Sequence, residues 1–92
     1  MTVEQLIQDL HALENELQKF EKKYNLLSPF FYKLYQSGKL ECDRDYLKWA
    51  GLYQLKLRWY EKYKHLLPEV LEKINFENPI EMDEFEHSAM EV

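Results

Sequence analysis

The stretch VEQLIQDLHALENELQKFEKKYNLL, residues 3–27, determines the fold class of this chain. Its apolar side chains recur at alternating spacings of three and four residues, at Val3, Leu6, Leu10, Leu13, Leu17, Phe20, Tyr24 and Leu27. This heptad spacing places one apolar stripe along a helix. Thr2, followed three residues later by Gln5, has the pattern of a capping box. We therefore predict a helix over residues 3–25.

A short second helix is predicted after a brief turn. Ser28 suits the N-cap and Pro29 the first helical position, where the missing N–H would have no partner in any case. Gly38 suits the left-handed residue that ends a helix. Five of its residues make this helix apolar on nearly all sides, namely Phe30, Phe31, Tyr32, Leu34 and Tyr35.

A third helix is predicted from a cap at Asp43 or Asp45 to about Leu67, with Pro68 kinking or restarting the chain and residues 69–75 forming a last short turn. Two apolar stripes give this helix a wide apolar arc, so it should contact two neighbours. The first contains Tyr46, Trp49, Tyr53, Tyr60, Tyr63 and Leu67, and the second contains Leu52, Leu55, Trp59 and Leu66. A glycine inside a helix costs about 1 kcal/mol relative to Ala. We therefore expect another helix to approach closely at Gly51.

These patterns predict an all-α protein of three main helices. The long heptad-patterned N-terminal helix packs against the aromatic-rich third helix, and the short helix lies between them. The heptad stripe is also compatible with a homodimer seam or a higher hetero-oligomer. In a parallel homodimer, however, Asp9 would face Glu14 and Glu16 would face Glu21, which disfavours that pairing. We assign a helical domain to residues 1–75.

The net charge of −5 is unevenly distributed. Residues 43–67 contain six bases and three acids, whereas residues 68–92 contain eight acids and one base. A strongly acidic segment with few apolar side chains is typically disordered alone or ordered only on a partner. We therefore predict an acidic, flexible tail over residues 76–92 that attracts a basic surface, with Ile80, Met82 and Phe85 as apolar anchors. The alternatives are a solubilising tail or a cover over the third helix.

Nothing in the sequence indicates catalysis, a metal or another cofactor. His11, His65 and His87 lack metal-ligand spacing, and Cys42 has no second thiol. The chain has no nucleophile-elbow pattern and no glycine-rich phosphate loop. Its N-terminus lacks the features of a signal peptide, and no stretch approaches the ~20 apolar residues of a membrane span. We expect a soluble cytoplasmic protein that is not an enzyme and does not bind membranes.

Aromatic and basic residues alternate along residues 43–67, which suggests nucleic-acid binding as a weaker alternative. The basic positions are Lys48, Lys56, Arg58, Lys62, Lys64 and His65. Aromatics at helical spacing usually form a core, and long basic side chains usually cover such faces. Large aromatic side chains are equally suited to a protein interface.

Parts of the chain resemble a family of small acidic prokaryotic proteins. The similar segments are Glu16–Leu26, Phe30-Phe31, Ser37-Gly38-Lys39-Leu40 and Asp45-Tyr46-Leu47-Lys48-Trp49-Ala50, within residues 13–67. That family is regarded as the antitoxin-like partners of small toxins in toxin–antitoxin modules. Asn25 stands where the family tends to have Gly, and Asn also adopts left-handed backbone.

The resemblance implies neutralisation of a cognate toxin by direct binding. We expect this toxin to be a small, basic, ribonuclease-like protein. The resemblance also implies that Gly38, Asp45 and Trp49, which match the family pattern, set the fold. The tail is not covered by the resemblance. The competing hypothesis is a homo-oligomeric helical scaffold or adaptor. From the third helix and the tail we predict nine partner-binding residues: Trp59, Tyr60, Tyr63, Ile80, Met82, Asp83, Glu84, Phe85 and Glu86.

Overall fold

A computed structural model describes residues 2–74, which form three helices: α1 (Val3–Tyr24), α2 (Ser28–Gln36) and α3 (Arg44–Glu72). Tyr24 contacts Asp45, and Glu14 contacts Tyr60, so α1 and α3 run antiparallel. The predicted all-α architecture, with a long first helix and an aromatic-rich third helix, is confirmed. The predicted domain boundary and the tail over 76–92 lie outside the described residues.

The heptad stripe of α1 packs within the monomer. Its four leucines, Leu6, Leu10, Leu13 and Leu17, are buried. The helix begins as predicted, because the hydroxyl oxygen of Thr2 accepts a hydrogen bond of 3.1 Å from the backbone N–H of Gln5. It ends at Asn25, which adopts the left-handed conformation with φ 52°. The stripe within α1 is therefore a core surface of the monomer, whereas Leu27, its last predicted member, caps α2 and is 58% exposed.

The start of α2 differs from the prediction that Ser28 is its N-cap. Leu27 occupies the cap position and Ser28 is the first helical residue. The reason is that Ser28 is only 1% exposed and its side chain is bonded to Glu21 and Trp49. The helix ends as predicted, since Gly38 has the positive φ of 74° expected just beyond a helix C-terminus.

The predicted end of the third helix at about Leu67 is wrong, because α3 continues through Pro68 to Glu72. A proline removes one backbone N–H, but Pro68 is exposed, so its ring does not disturb the contact with α1. Leu67 before it is 6% exposed, and Leu71 after it is partly buried. Their burial favours continuation of the helix. Asp43 is the N-cap, and its carboxylate accepts from the N–H of Asp45 at 2.8 Å.

The helix α3 does contact two neighbours, α1 and α2. The expected close approach at Gly51 is nevertheless wrong. Gly51 is exposed, and a Cβ atom added there would meet no atom within 4 Å. Both neighbouring helices pack on other sides of α3.

The core lies where all three helices meet. Phe31 and Trp49 are each 0% exposed, and their rings stack with centroids 3.8 Å apart and planes 2° apart. Phe20 and Tyr24 of α1 also stack against Trp49, each at a centroid distance of 5.6 Å. Beyond this cluster, the C-terminal half of α3 packs against α1, as the contact between Tyr60 and Glu14 shows.

Candidate partner-binding surface

A buried polar chain fixes α2 against the other helices. The indole N–H of Trp49 donates to the Ser28 hydroxyl oxygen at 2.9 Å. The Ser28 hydroxyl and backbone N–H both donate to Glu21 Oε2, at 2.7 and 2.8 Å. Because each buried polar atom has a partner, burial of Trp49 and Ser28 incurs little desolvation cost. This chain orients α2 and thereby determines which of its side chains face outwards.

A second polar group lies at the N-terminus of α3. Asp45 Oδ2 accepts hydrogen bonds from Lys23 Nζ and the Tyr24 hydroxyl, both at 2.6 Å. The Lys23 hydrogen bond, together with that from Tyr24, lowers the pKa of Asp45. The bond to Asp45 in turn raises the pKa of Tyr24. This group joins α1 to α3 about one helical turn before Trp49, and we regard it as structural.

Tyr60 is engaged within the fold. Its hydroxyl donates to Glu14 Oε1 at 3.2 Å, and Lys56 Nζ lies 5.6 Å from the centre of its ring. Burial, reinforced by the charge of Glu14, raises the pKa of Tyr60. Tyr60 and Lys56 line a groove of about 190 Å³ together with α1 residues that include Glu14 and Glu21.

The second apolar stripe of α3 lies on the side turned away from α2. α2 contacts α3 through Tyr53, whose ring is 5.1 Å from that of Tyr32, and through Gln54, which donates to the Tyr32 hydroxyl. At 100° per residue, the stripe lies roughly opposite this direction. We call this stripe the open face; its members, all partly buried, are Leu52, Leu55, Trp59 and Leu66. Leu52, at its N-terminal end, packs against the core cluster.

Basic side chains flank the open face. Lys48, Arg58 and Lys62 are exposed and lie within about one turn of the stripe on α3. Near its C-terminal end the surface forms an almost wholly apolar hollow of about 250 Å³, lined by Leu6, Lys62, His65 and Leu66. The open face thus combines apolar area with positive charge, a combination suited to an acidic segment with apolar side chains.

A separate apolar surface lies on α2 and was not among the predicted sites. Leu27, Phe30 and Leu34 are 58%, 57% and 39% exposed and share one side of the helix. We call these three residues the α2 stripe. The signal for it was in the sequence, since a short helix that is apolar on nearly all sides must expose one side when its neighbours cover the other.

The predicted partner-binding residues of α3 do not form one surface. Trp59 lies on the open face, and Tyr63 lies between this face and α1, whereas Tyr60 lies in the groove with Glu14. The other six predicted residues, Ile80, Met82, Asp83, Glu84, Phe85 and Glu86, lie outside the described residues.

The remaining reactive side chains of residues 2–74 are dispersed. Cys42, His11 and His65 are exposed. Within this part of the chain, no three His, Cys, Asp or Glu side chains are grouped as metal ligands would be. None of the helices described here has the length and apolarity needed to cross a bilayer.

Comparison with known proteins gave no match: no family model, no curated protein and no solved structure is similar to this chain. The resemblance to antitoxin-like proteins therefore stays a prediction, which depends on the residues quoted for it.

Proposed function

We propose that this chain is an antitoxin-like protein that neutralises a small, basic, ribonuclease-like toxin by direct contact. The observation that carries the proposal is the separation of charge along the chain. Residues 76–92 contain six carboxylates and no Lys or Arg, whereas the helical body before them has bases on the exposed sides of α3. An acidic segment with apolar anchors complements the surface of a protein that binds nucleic acid.

The aromatic content of α3 supports binding of a protein. Trp59 and Tyr63 are partly buried in the monomer and retain accessible ring area. Large, rigid aromatic side chains are enriched among the residues that dominate protein interfaces. In this proposal, Trp59 and Tyr63 provide apolar contact, while Asp83, Glu84 and Glu86 pair with basic side chains of the toxin.

A homo-oligomeric scaffold is the second candidate. The sequence suggested this candidate through a heptad seam on α1 that two copies could share. The structure makes that seam a poor interface, because its four leucines are buried within the monomer. The observation that favours it now is the α2 stripe, whose Phe30 is 57% exposed. In this case two copies would associate through α2.

Copurification with the product of the adjacent gene tests the proposal. We expect the two full-length proteins to form a complex whose affinity, measured by calorimetry, falls as salt is raised. Replacing the tail carboxylates together, as Asp83→Asn, Glu84→Gln and Glu86→Gln, should weaken binding about tenfold at low salt and reduce its salt dependence.

A matched variant controls for net charge. Glu41→Gln, Glu69→Gln and Glu72→Gln remove the same three charges from exposed positions of the helical body. This variant should bind with nearly unchanged affinity. Failure of the full-length proteins to associate would contradict the proposal, and a stable homo-oligomer without that association would favour the scaffold.

A further inference from the structure

The α2 stripe has the spacing of a helix–helix seam. Leu27, Phe30 and Leu34 follow one another at intervals of three and four residues, and they are 58%, 57% and 39% exposed. The other side of α2 belongs to the core, since Phe31 is 0% exposed and stacks on Trp49. Side chains at this heptad spacing fit between those of a facing helix. Their exposure shows that neither α1 nor α3 covers them.

A hollow lies at the N-terminal end of the stripe, where α1 turns into α2. Its volume is about 410 Å³. It is lined by Gln18, Glu21, Lys22, Asn25, Leu26 and Leu27. Leu27 belongs to both the hollow and the stripe, so the two form one continuous surface. The hollow can therefore receive an apolar side chain of a molecule that packs along the stripe.

We propose that the α2 stripe and this hollow bind an acidic amphipathic helix of a partner protein. Two apolar side chains of that helix, one turn apart, pack against Phe30 and into the hollow, while its flanking carboxylates pair with Lys22 and Lys33. This inference goes beyond the proposed function, because the toxin of that proposal is basic. The site on α2 belongs to a second partner of opposite charge.

The charges beside the stripe select an acidic occupant. Lys22 lines the hollow, and Lys33 lies one helical turn after Phe30. Both lysines are exposed, and among residues 2–74 neither has an ion-pair partner. Glu21 also lines the hollow, but its Oε2 already accepts two hydrogen bonds from Ser28. Carboxylates that flank the apolar side chains of a docked helix complement this surface.

A second copy of the chain, the occupant that a scaffold requires, complements the same surface less well. In an antiparallel pair of α2 helices, Lys33 of one copy would face Lys33 of the other across the seam. The sequence of α2, SPFFYKLYQ, contains no acid that could compensate. Like charges oppose this pairing, so an acidic helix from another protein is the better occupant.

A synthetic helical peptide tests the site on the full-length protein. The peptide carries leucines at heptad spacing and glutamates at the flanking positions. Titrated into isotope-enriched protein, it should shift the NMR amide signals of residues 27–34, while the indole signal of Trp59, on the open face of α3, should stay in place. A control peptide with the same glutamates, but with serines in place of the leucines, should bind at least about tenfold more weakly.

Two protein variants test the apolar contact. Phe30→Gln with Leu34→Gln should abolish the shifts in α2. Leu47→Gln with Leu57→Gln is the matched control, because it replaces two leucines of α3 that are 54% and 45% exposed and lie outside the stripe. This control should bind the peptide with unchanged affinity.

Two further variants test the charge. Lys22→Gln with Lys33→Gln should weaken binding about tenfold at low salt and reduce its salt dependence. Lys48→Gln with Lys62→Gln removes the same charge from exposed positions of α3 and should leave the affinity nearly unchanged.

Three results would overturn the proposal. The first is the absence of shifts in α2 at millimolar peptide, and the second is a shift of the Trp59 signal without any in α2. The third is a dimer of the full-length protein, measured by light scattering, that Phe30→Gln with Leu34→Gln converts to a monomer, because this result would place a second copy on the stripe.

Discussion

The indole N–H of Trp49 in α3 donates a 2.9 Å hydrogen bond to the hydroxyl of Ser28, the first residue of α2. Both residues are essentially inaccessible to water, at 0% and 1% exposure. The same hydroxyl donates to Glu21 of α1, so one small side chain connects all three helices. The position of α2, and with it the exposure of the α2 stripe, depends on this junction.

Replacing Ser28 by Ala should lower the free energy of unfolding by about 2 kcal/mol, because it leaves the buried Trp49 N–H without an acceptor. Urea denaturation of the variant measures this loss. Ser37→Ala is the matched control, since Ser37 is exposed and its hydroxyl bonds only to the Leu34 carbonyl oxygen. We expect the control to change stability by less than about 0.5 kcal/mol. Equal losses in the two variants would contradict the structural role of Ser28.

Asp45 should link stability to pH at both ends of the titration range. Its pKa is lowered from the usual value near 3.8 by Lys23 and Tyr24, so its contribution is present above about pH 4 and is lost as pH falls through the lowered pKa. The pKa of Tyr24 is raised from 10.0 by Asp45, so this contribution is present below pH 10 and is lost as pH rises through the raised pKa.

The variant Asp45→Asn should therefore differ most from the parent protein between about pH 5 and 9, with the difference shrinking in acid and in alkali. Chemical denaturation over this pH range measures the effect. Tyr24→Phe separates the two ends, because it keeps the Lys23–Asp45 pair and should retain the acid dependence while losing part of the alkaline one. A difference that does not vary with pH would contradict this linkage.

The two glycines should respond to alanine in opposite directions. Gly51 is exposed in the interior of α3 and has no neighbouring atom near an added Cβ, so Gly51→Ala should stabilise the protein by about 1 kcal/mol. Gly38 has a φ of 74°, which is strained for alanine, so Gly38→Ala should destabilise it by roughly 1 kcal/mol. Thermal melts of both variants test the pair. A loss of stability in Gly51→Ala would show that this surface is already covered.

The sequence predicted the fold well where the signal was local and repeated. The heptad stripe, the Thr2 cap and the turn at Gly38 each follow from spacing or backbone conformation, and each was confirmed. The errors have tertiary causes. Local spacing predicts Ser28 as a cap, but its role depends on Trp49, twenty-one residues later. Local spacing likewise predicts the end of the third helix before Pro68, whereas the burial of Leu67 and Leu71, a tertiary property, favours continuation.

The candidate surface was predicted less completely, for a related reason. Trp59 and Tyr60 are adjacent in sequence, and the same aromatic pattern included both. A helix turns 100° per residue, so Tyr60 reaches Glu14 while Trp59 lies on the open face. Which of two neighbouring aromatics is free for a partner depends on where α1 and α2 lie, and no local pattern encodes that.

The α2 stripe gives a direct test of the scaffold hypothesis. Phe30→Gln combined with Leu34→Gln replaces two exposed apolar side chains, so the stability of the monomer should change by less than about 0.5 kcal/mol. If copies associate through α2, the mass measured by light scattering should fall to that of the monomer. An unchanged oligomer in this variant would show that association, where present, uses another surface.

Trp59 is the residue whose substitution best separates binding from folding. Trp49→Ala should cost about 3–5 kcal/mol of stability because that ring is fully buried. Trp59 is only partly buried, so Trp59→Ala should lower the stability clearly less than Trp49→Ala does.

If the Trp59 ring contacts the partner, Trp59→Ala should bind about 30-fold more weakly, which corresponds to the ~2 kcal/mol typical of a central aromatic contact. Phe30→Ala is the matched control, because it removes an aromatic ring from the other candidate surface, the α2 stripe. Calorimetry on both variants decides between the surfaces: a loss of affinity in Phe30→Ala with none in Trp59→Ala would move the interface from α3 to α2.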